Sequence, residues 1–302
     1  MRIVTDNEIM SLGIRPEKCV DMVRESFLMK DRAMLPPKIS LHPRGSDFIN
    51  TMPCILPEEY HTFGCKVVSR VKGTHPALKS KMMMFDTLTG EMTCLIDADW
   101  ITAMRTGAVA ALAINTLRNS NAHIYSFIGL GAMGHSTLDC FLATNRDKDL
   151  TVRLKRYKDH AEKTMDRYAE FKNVTWEIAD SNTDLVSDAD VVVSCITDAD
   201  GLLVEDDNLF KPGVLVVPVH TRGFQNCDLV FDKVFADDEG HVNGFRYFDR
   251  FRQFGEMSDV LSGKIQGRIS DDERILSYNI GLGLHDVLFA YNILSMLDTC
   301  HP

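Results

Sequence analysis

The chain has 302 residues, 45% of them hydrophobic, and a formal net charge of −10. It is long enough for two domains with packed cores, which excludes a disordered chain. It has no block of basic residues and no basic–aromatic interleaving, which excludes nucleic acid or an anionic membrane as the expected partner and leaves small molecules. The eight cysteines, at 19, 54, 65, 94, 140, 195, 227 and 300, lack CxxC spacing, so reduced thiols in a cytoplasmic protein are expected. No apolar run reaches the length of a membrane span, at the start or elsewhere, and a soluble, unprocessed chain follows as the expectation. Without an HExxH pattern or a Cys/His cluster, no metal is expected.

In chain order, residues 15–33 place Pro16 at a first helical position and Val20, Val23 and Phe27 at helical spacing, which predicts an amphipathic helix. Strand-like runs follow at about 47–56, 62–71 and 80–97, the last folded into a hairpin at Thr87-Leu88-Thr89-Gly90. No helix connects them, so the first sheet is expected to be largely antiparallel or mixed. From Thr102 to Leu117 runs a helix dense in small residues, with Arg105 among them.

An apolar run, Ile124, Tyr125, Phe127 and Ile128, then feeds into Gly129-Leu130-Gly131-Ala132-Met133-Gly134 and a helical stretch. That junction is a dinucleotide-binding fingerprint: the first glycine permits the turn, the second lets backbone approach a pyrophosphate, and the third lets helix and strand pack closely. The bare pattern is weak, but alternating strand and helix signals continue beyond residue 150, with strands expected at about 122–129, 150–155, 174–178, 190–196, 213–219 and 230–236. Ile275–Ile280 and a helix from Leu284 to Leu297 have no place in that repeat and are expected to return to the N-terminal domain.

The end of the second strand of such a unit meets the adenosine ribose, where an acid selects the free hydroxyl and basic residues accept a 2′-phosphate. Here the strand ends Val152-Arg153-Leu154-Lys155-Arg156-Tyr157-Lys158, without an acid. Lys155 and Arg156 therefore point to NADP(H) as the preferred cofactor, with NAD(H) as the other possibility.

Lys66 in Phe63-Gly64-Cys65-Lys66-Val67-Val68, the hairpin Asp86-Thr87-Leu88-Thr89-Gly90, Thr102-Ala103-Met104-Arg105-Thr106-Gly107-Ala108, the glycine fingerprint, and Gly267-Arg268-Ile269-Ser270 followed by Gly281 to Asp286 stand in one order. In these landmarks the chain resembles the ornithine cyclodeaminase/μ-crystallin family. The resemblance implies an α/β fold, a Rossmann doubly wound parallel sheet inserted into an α+β substrate-binding and dimerisation domain. Residues 1–118 plus 280–302 would form the latter and residues 119–279 the dinucleotide-binding domain, with a homodimer as the assembly.

It also implies hydride exchange between a nicotinamide and the α-carbon of a small amino or imino acid, as an amino acid dehydrogenase or ketimine reductase carries out. Two alternatives stay open: an ornithine or lysine cyclodeaminase that recycles its cofactor and releases ammonia, and a non-catalytic NADPH-dependent binding protein of μ-crystallin type. In the family pattern an arginine often follows a Pro-Pro pair as a carboxylate contact; here Lys38 follows Pro36-Pro37. The aspartate that handles the side-chain amine in ornithine cyclodeaminases is missing, and His220 and Thr221 stand near its place.

The expected catalytic residues are Lys66, Arg105 and His220, and the expected substrate contacts Lys38, Lys66 and Arg105. Arg105 grips the substrate carboxylate by two parallel hydrogen bonds. Lys66 either shares that carboxylate or, desolvated beside Arg105, moves a proton, and His220 either serves as acid or base or is structural. The cofactor contacts are Thr106, Gly129, Gly131, Ala132, Met133, Gly134, Lys155, Arg156 and Thr197.

Overall fold

A computed structural model describes residues 1–300; the Cys300 side chain and residues 301–302 lie outside the described part. The chain begins with β1 (Arg2–Val4), α1 (Asp6–Ser11), α2 (Pro16–Leu28), β2 (Ile39–Leu41), β3 (Phe48–Ile55), β4 (Thr62–Arg70), β5 (Leu78–Asp86), β6 (Met92–Asp97) and α3 (Asp99–Leu117). It continues with β7 (Ile124–Ile128), α4 (Ala132–Ala143), β8 (Leu150–Lys155), α5 (His160–Arg167), β9 (Val174–Ala179), α6 (Asn182–Val186) and β10 (Val191–Ser194). Then follow β11 (Leu215–Pro218), α7 (Cys227–Val230), β12 (Lys233–Ala236), β13 (Phe254–Glu256), α8 (Met257–Leu261), β14 (Ile275–Tyr278) and α9 (Gly283–Cys300). Two compact units result, residues 1–105 with the segment from Gly281 onward, and Thr106–Ile280.

The first unit is built on a six-stranded sheet in the order β1-β6-β5-β4-β3-β2. Only β1 and β6 pair in parallel; the other pairs are antiparallel. The period-two alternation of β4 buries Gly64, Lys66 and Val68 on one face and turns Cys65 and Val67 to the other. Lys66 lies in register with Met52 and Met82, both buried.

That inner face is covered by α9, which packs on β3, β4 and α2. Gly64 makes the approach possible: a Cβ there would come within 2.7 Å of Val287 Cγ2. From α2, Val20, Val23 and Phe27 are buried, as their helical spacing predicts, and Pro16 occupies its first turn.

The second unit is an eight-stranded, wholly parallel sheet in the order β13-β12-β14-β11-β10-β7-β8-β9. After β9 the chain crosses back to lay β10 on the free side of β7, so the crevice between the carboxyl ends of β7 and β10 is the topological switch point of a doubly wound sheet. Asp190 sets the start of this arrangement. One of its carboxylate oxygens accepts the backbone N–H groups of His123 and Ile124, each at 2.9 Å, and the other meets Lys211 Nζ at 2.7 Å.

Two expectations are corrected here. Ile275–Tyr278 does not return to the N-terminal unit; it forms β14, inserted between β11 and β12 and fully buried. The burial of all four of its residues, Ser277 included, is that of a strand covered on both faces. The units also divide at Arg105/Thr106, within α3, rather than at 118/119. The later part of α3 packs inside the parallel-sheet unit: a Cβ on Gly107 would lie 2.2 Å from the Ser136 carbonyl oxygen of α4, and Arg268 Nε donates to the Leu117 carbonyl at 2.7 Å. Among the described residues no helix is long and apolar enough to cross a membrane, and seven cysteines are free thiols.

Candidate active site

In the parallel-sheet unit a cavity of about 530 Å³ opens at the carboxyl ends of β7, β8 and β10, lined by Gly129, Gly131, Lys155, Arg156 and Thr197 among others. Gly129 adopts φ +89°, and a Cβ on it would lie 2.5 Å from the Cys195 carbonyl carbon, so turn and packing both require glycine. Gly134 is as constrained, its Cβ position 2.2 Å from the Gly129 carbonyl oxygen, whereas nothing lies within 4 Å of a Cβ on Gly131. The second glycine thus leaves open the space where a pyrophosphate comes close to backbone. Helix α4 starts at Ala132 and Met133 with Gly131 as its N-cap and no side-chain cap, which leaves its first N–H groups to an anion. Glycine cradle and helix terminus fit a dinucleotide. Cys195 lines the same cavity, its thiol pushed up to about 12 by burial, so it stays protonated.

At the end of β8, Lys155 Nζ donates to the Asp180 carbonyl at 2.9 Å. Arg156 bridges two carboxylates, with Nε on Asp180 Oδ1 and Nη1 on Glu162 Oε1, both at 2.5 Å. These partners, invisible in the strand-end pattern, neutralise the guanidinium. Thr106 lies on α3, outside the residues that line the cavity.

His220 follows β11 with both ring nitrogens engaged. Nδ1 accepts the Arg222 N–H at 3.1 Å, so the ring proton sits on Nε2 and is donated to Ser194 Oγ at 2.7 Å. Burial, with the Arg222 charge, pushes its pKa down to about 4. A neutral, doubly held imidazole is a positioning group at neutral pH, and the acid–base role expected of it is not carried forward.

In the first unit, Lys66 and Arg105 come together on a residue the sequence reading left out of the site. Asp286, in the first turn of α9, accepts Lys66 Nζ at 2.6 Å and Arg105 Nε at 3.0 Å, both on Oδ1. Lys66 and Asp286 are fully buried, and Arg105 is 6% exposed. Asp286 Oδ2 is buried with no hydrogen-bond partner among the described residues. Gly281 fixes the arginine: at φ +93°, its Cβ would fall 1.9 Å from Arg105 Nη1. Lys66 is thus not a surface strand lysine. Burial, then Arg105 and, more weakly, Lys38, push its pKa down to about 7 against the pull of Asp286. One signal could have found Asp286: it is the only acid in the mostly apolar run Gly283-Leu284-His285-Asp286-Val287-Leu288-Phe289, and buried acids are rare unless paired.

The chain matches the ornithine cyclodeaminase/mu-crystallin family over residues 2–298 and belongs to it. It is 27% identical over 274 residues to the nodulation efficiency protein NfeD of Rhizobium meliloti, covering 87% of this chain and 84% of that one. It is 25% identical over 257 residues to a Delta(1)-pyrroline-2-carboxylate reductase of Bacillus cereus, covering 79% and 78%. The structure of Thermococcus litoralis Delta(1)-pyrroline-2-carboxylate reductase in complex with NADH and L-proline superposes with a TM-score of 0.86, 99% of this chain on 98% of that one, at 19% identity. That likeness is one of fold.

Proposed function

We propose that this chain is an NAD(P)-dependent oxidoreductase that exchanges hydride with the α-carbon of a small amino or imino acid. The observation that carries the reading is the buried cluster of Lys66, Arg105 and Asp286, two cations on one carboxylate oxygen. With Lys66 protonated its formal charge is +1, and a buried net charge calls for a counterion, which an amino or imino acid supplies as its carboxylate. Arg105 is committed to Asp286 through Nε, and in this reading its guanidinium takes that carboxylate. Lys38, whose charge reaches Lys66, adds a further cation. Lys66 gives up and regains a proton at Nζ near neutral pH and so serves the substrate nitrogen as acid or base.

A nicotinamide dinucleotide, held by Gly129, Gly131, Ala132, Met133, Gly134 and Thr197, supplies or takes the hydride when bound. Arg105 and Thr106 are consecutive residues of α3, one assigned here to substrate and the other to cofactor. NADP(H) is the preferred carrier in this reading, because β8 ends without an acid and Lys155 and Arg156 line the cavity. Arg156 then reaches the 2′-phosphate by giving up Asp180 or Glu162.

We assign the working form to a homodimer. The outer sheet face of the first unit carries Pro53, Phe63, Val67, Met83, Phe85 and Leu95, all only partly buried, with Phe63 and Phe85 rings 5.5 Å apart. Its edge strand leaves Ile39 58% and Leu41 62% exposed. A second copy covers such a face. The free thiols support a reducing, cytoplasmic setting.

A screen of amino acids and imines with both cofactors, following nicotinamide absorbance and ammonia together, tests the function. Net cofactor oxidation or reduction coupled to an amino or imino acid is expected. Ammonia release without net absorbance change would make it a cyclodeaminase, and tight NADPH binding with no turnover a binding protein.

A further inference from the structure

Asp286 is more than the partner of two cations. Lys66 Nζ and Arg105 Nε both land on Oδ1, while Oδ2, equally buried, has no hydrogen-bond partner among the described residues. An ionised carboxylate offers about four acceptor sites. A buried, unserved anionic oxygen is costly and calls for an explanation.

The carboxylate is also held in place. On one side of it in sequence, His285 Nδ1 meets Ser26 Oγ at 2.6 Å and its ring packs edge-on against Phe27. On the other, Val287 is pressed on Gly64 of β4, and at the helix start a Cβ on Gly283 would lie 3.0 Å from the Met52 carbonyl oxygen. With its neighbours locked and Oδ1 tied to two cations, Asp286 is a preorganised acceptor with one oxygen uncommitted.

We propose that Asp286 recognises the substrate nitrogen: Oδ2 accepts an N–H of the α-amino or protonated imino group, and selects nitrogen acids over oxo acids and ethers of the same shape. The inference rests on the function proposed above and deepens it. A cationic nitrogen supplies both the missing donor and a compensating charge, whereas a carbonyl or ether oxygen would face Oδ2 with lone pairs only.

The test is calorimetric binding to the protein saturated with NADPH, using two pairs: L-proline with tetrahydrofuran-2-carboxylate, and L-alanine with pyruvate. The native protein is expected to bind at least one amino acid about tenfold or more tighter than its oxygen partner. Asp286→Asn, whose single acceptor cannot serve both the cations and the ligand, should lose that discrimination by weakening the amino acid selectively. NADPH affinity should stay unchanged, and a native-like thermal unfolding transition reports that the variant is folded. Equal affinities within both pairs in the native protein would overturn the inference, as would an Asp286→Asn that weakens both members of a pair alike. If the variant does not fold, the native pairs decide alone. The underlying reading fails separately: no amino or imino acid then binds or turns over at all, whereas turnover without discrimination sinks only the role of Asp286.

Discussion

Burying Lys66 should leave a measurable mark on stability. The structure pushes its pKa from 10.5 down to about 7, chiefly by desolvation, while in the unfolded chain the ammonium titrates near its ordinary value. Between these limits the unfolded state binds more protons than the folded one, so stability rises with pH and the penalty of the buried lysine is greatest below about pH 7. The displacement corresponds to about 5 kcal/mol across the whole window, with a slope that rises from about half its full value at pH 7 to about 1.4 kcal/mol per pH unit in mid-window. Lys66→Met removes this titration and keeps an apolar stem of similar length in the Met52 and Met82 environment. Urea unfolding of the native protein and the variant at pH 7, 8 and 9, with cofactor absent, isolates the contribution, because every other titrating group is common to both. The native protein should gain on the variant by about 1 kcal/mol per pH unit. Parallel pH dependences would refute the desolvated lysine and with it the proton role assigned to Nζ.

Three further outcomes follow from the same geometry. Arg105→Ala should raise KM for the amino or imino acid by about thirtyfold or more, from the loss of a buried charged contact, and leave cofactor affinity nearly intact in a fluorescence titration; an unchanged KM would remove the arginine from the substrate. Arg156→Asp should shift the ratio of kcat/KM values toward NADH, and an unchanged ratio would take the residue away from the ribose. Because both His220 nitrogens are already engaged and its pKa lies near 4, His220→Asn should leave the kcat profile between pH 6 and 9 in place, and a lost limb would restore its acid–base role.

The glycine elbow was legible because the turn at Gly129 and the closeness of Gly134 to the Gly129 carbonyl are local requirements, written in consecutive residues. Residues 62–71 were legible as a strand, and in the structure its period of two puts Gly64, Lys66 and Val68 on one face. The strand pattern did not tell what covers that face: Asp286 arrives 220 residues later on α9, and only tertiary packing brings its carboxylate to Nζ. Residues 275–280 were expected to return to the N-terminal domain, and Ile275–Tyr278 form β14 instead, because a short segment does not state between which neighbours it lies. The basic end of β8 was read correctly as basic, while Asp180 and Glu162, which neutralise Arg156, reach it from other elements. The division within α3 was hidden for a similar reason, since a continuous helical pattern carries no mark where its packing partners change.

The central claim is hydride exchange at the α-carbon of a nitrogen acid, and isotope transfer tests it most directly. The protein is incubated with an active imino acid and NADPH deuterated at the transferable C4 position, and the amino acid formed is analysed by mass spectrometry and NMR. One deuterium per product molecule, at the α-carbon, is the predicted result. Product without the label, or with the label elsewhere, would contradict the account.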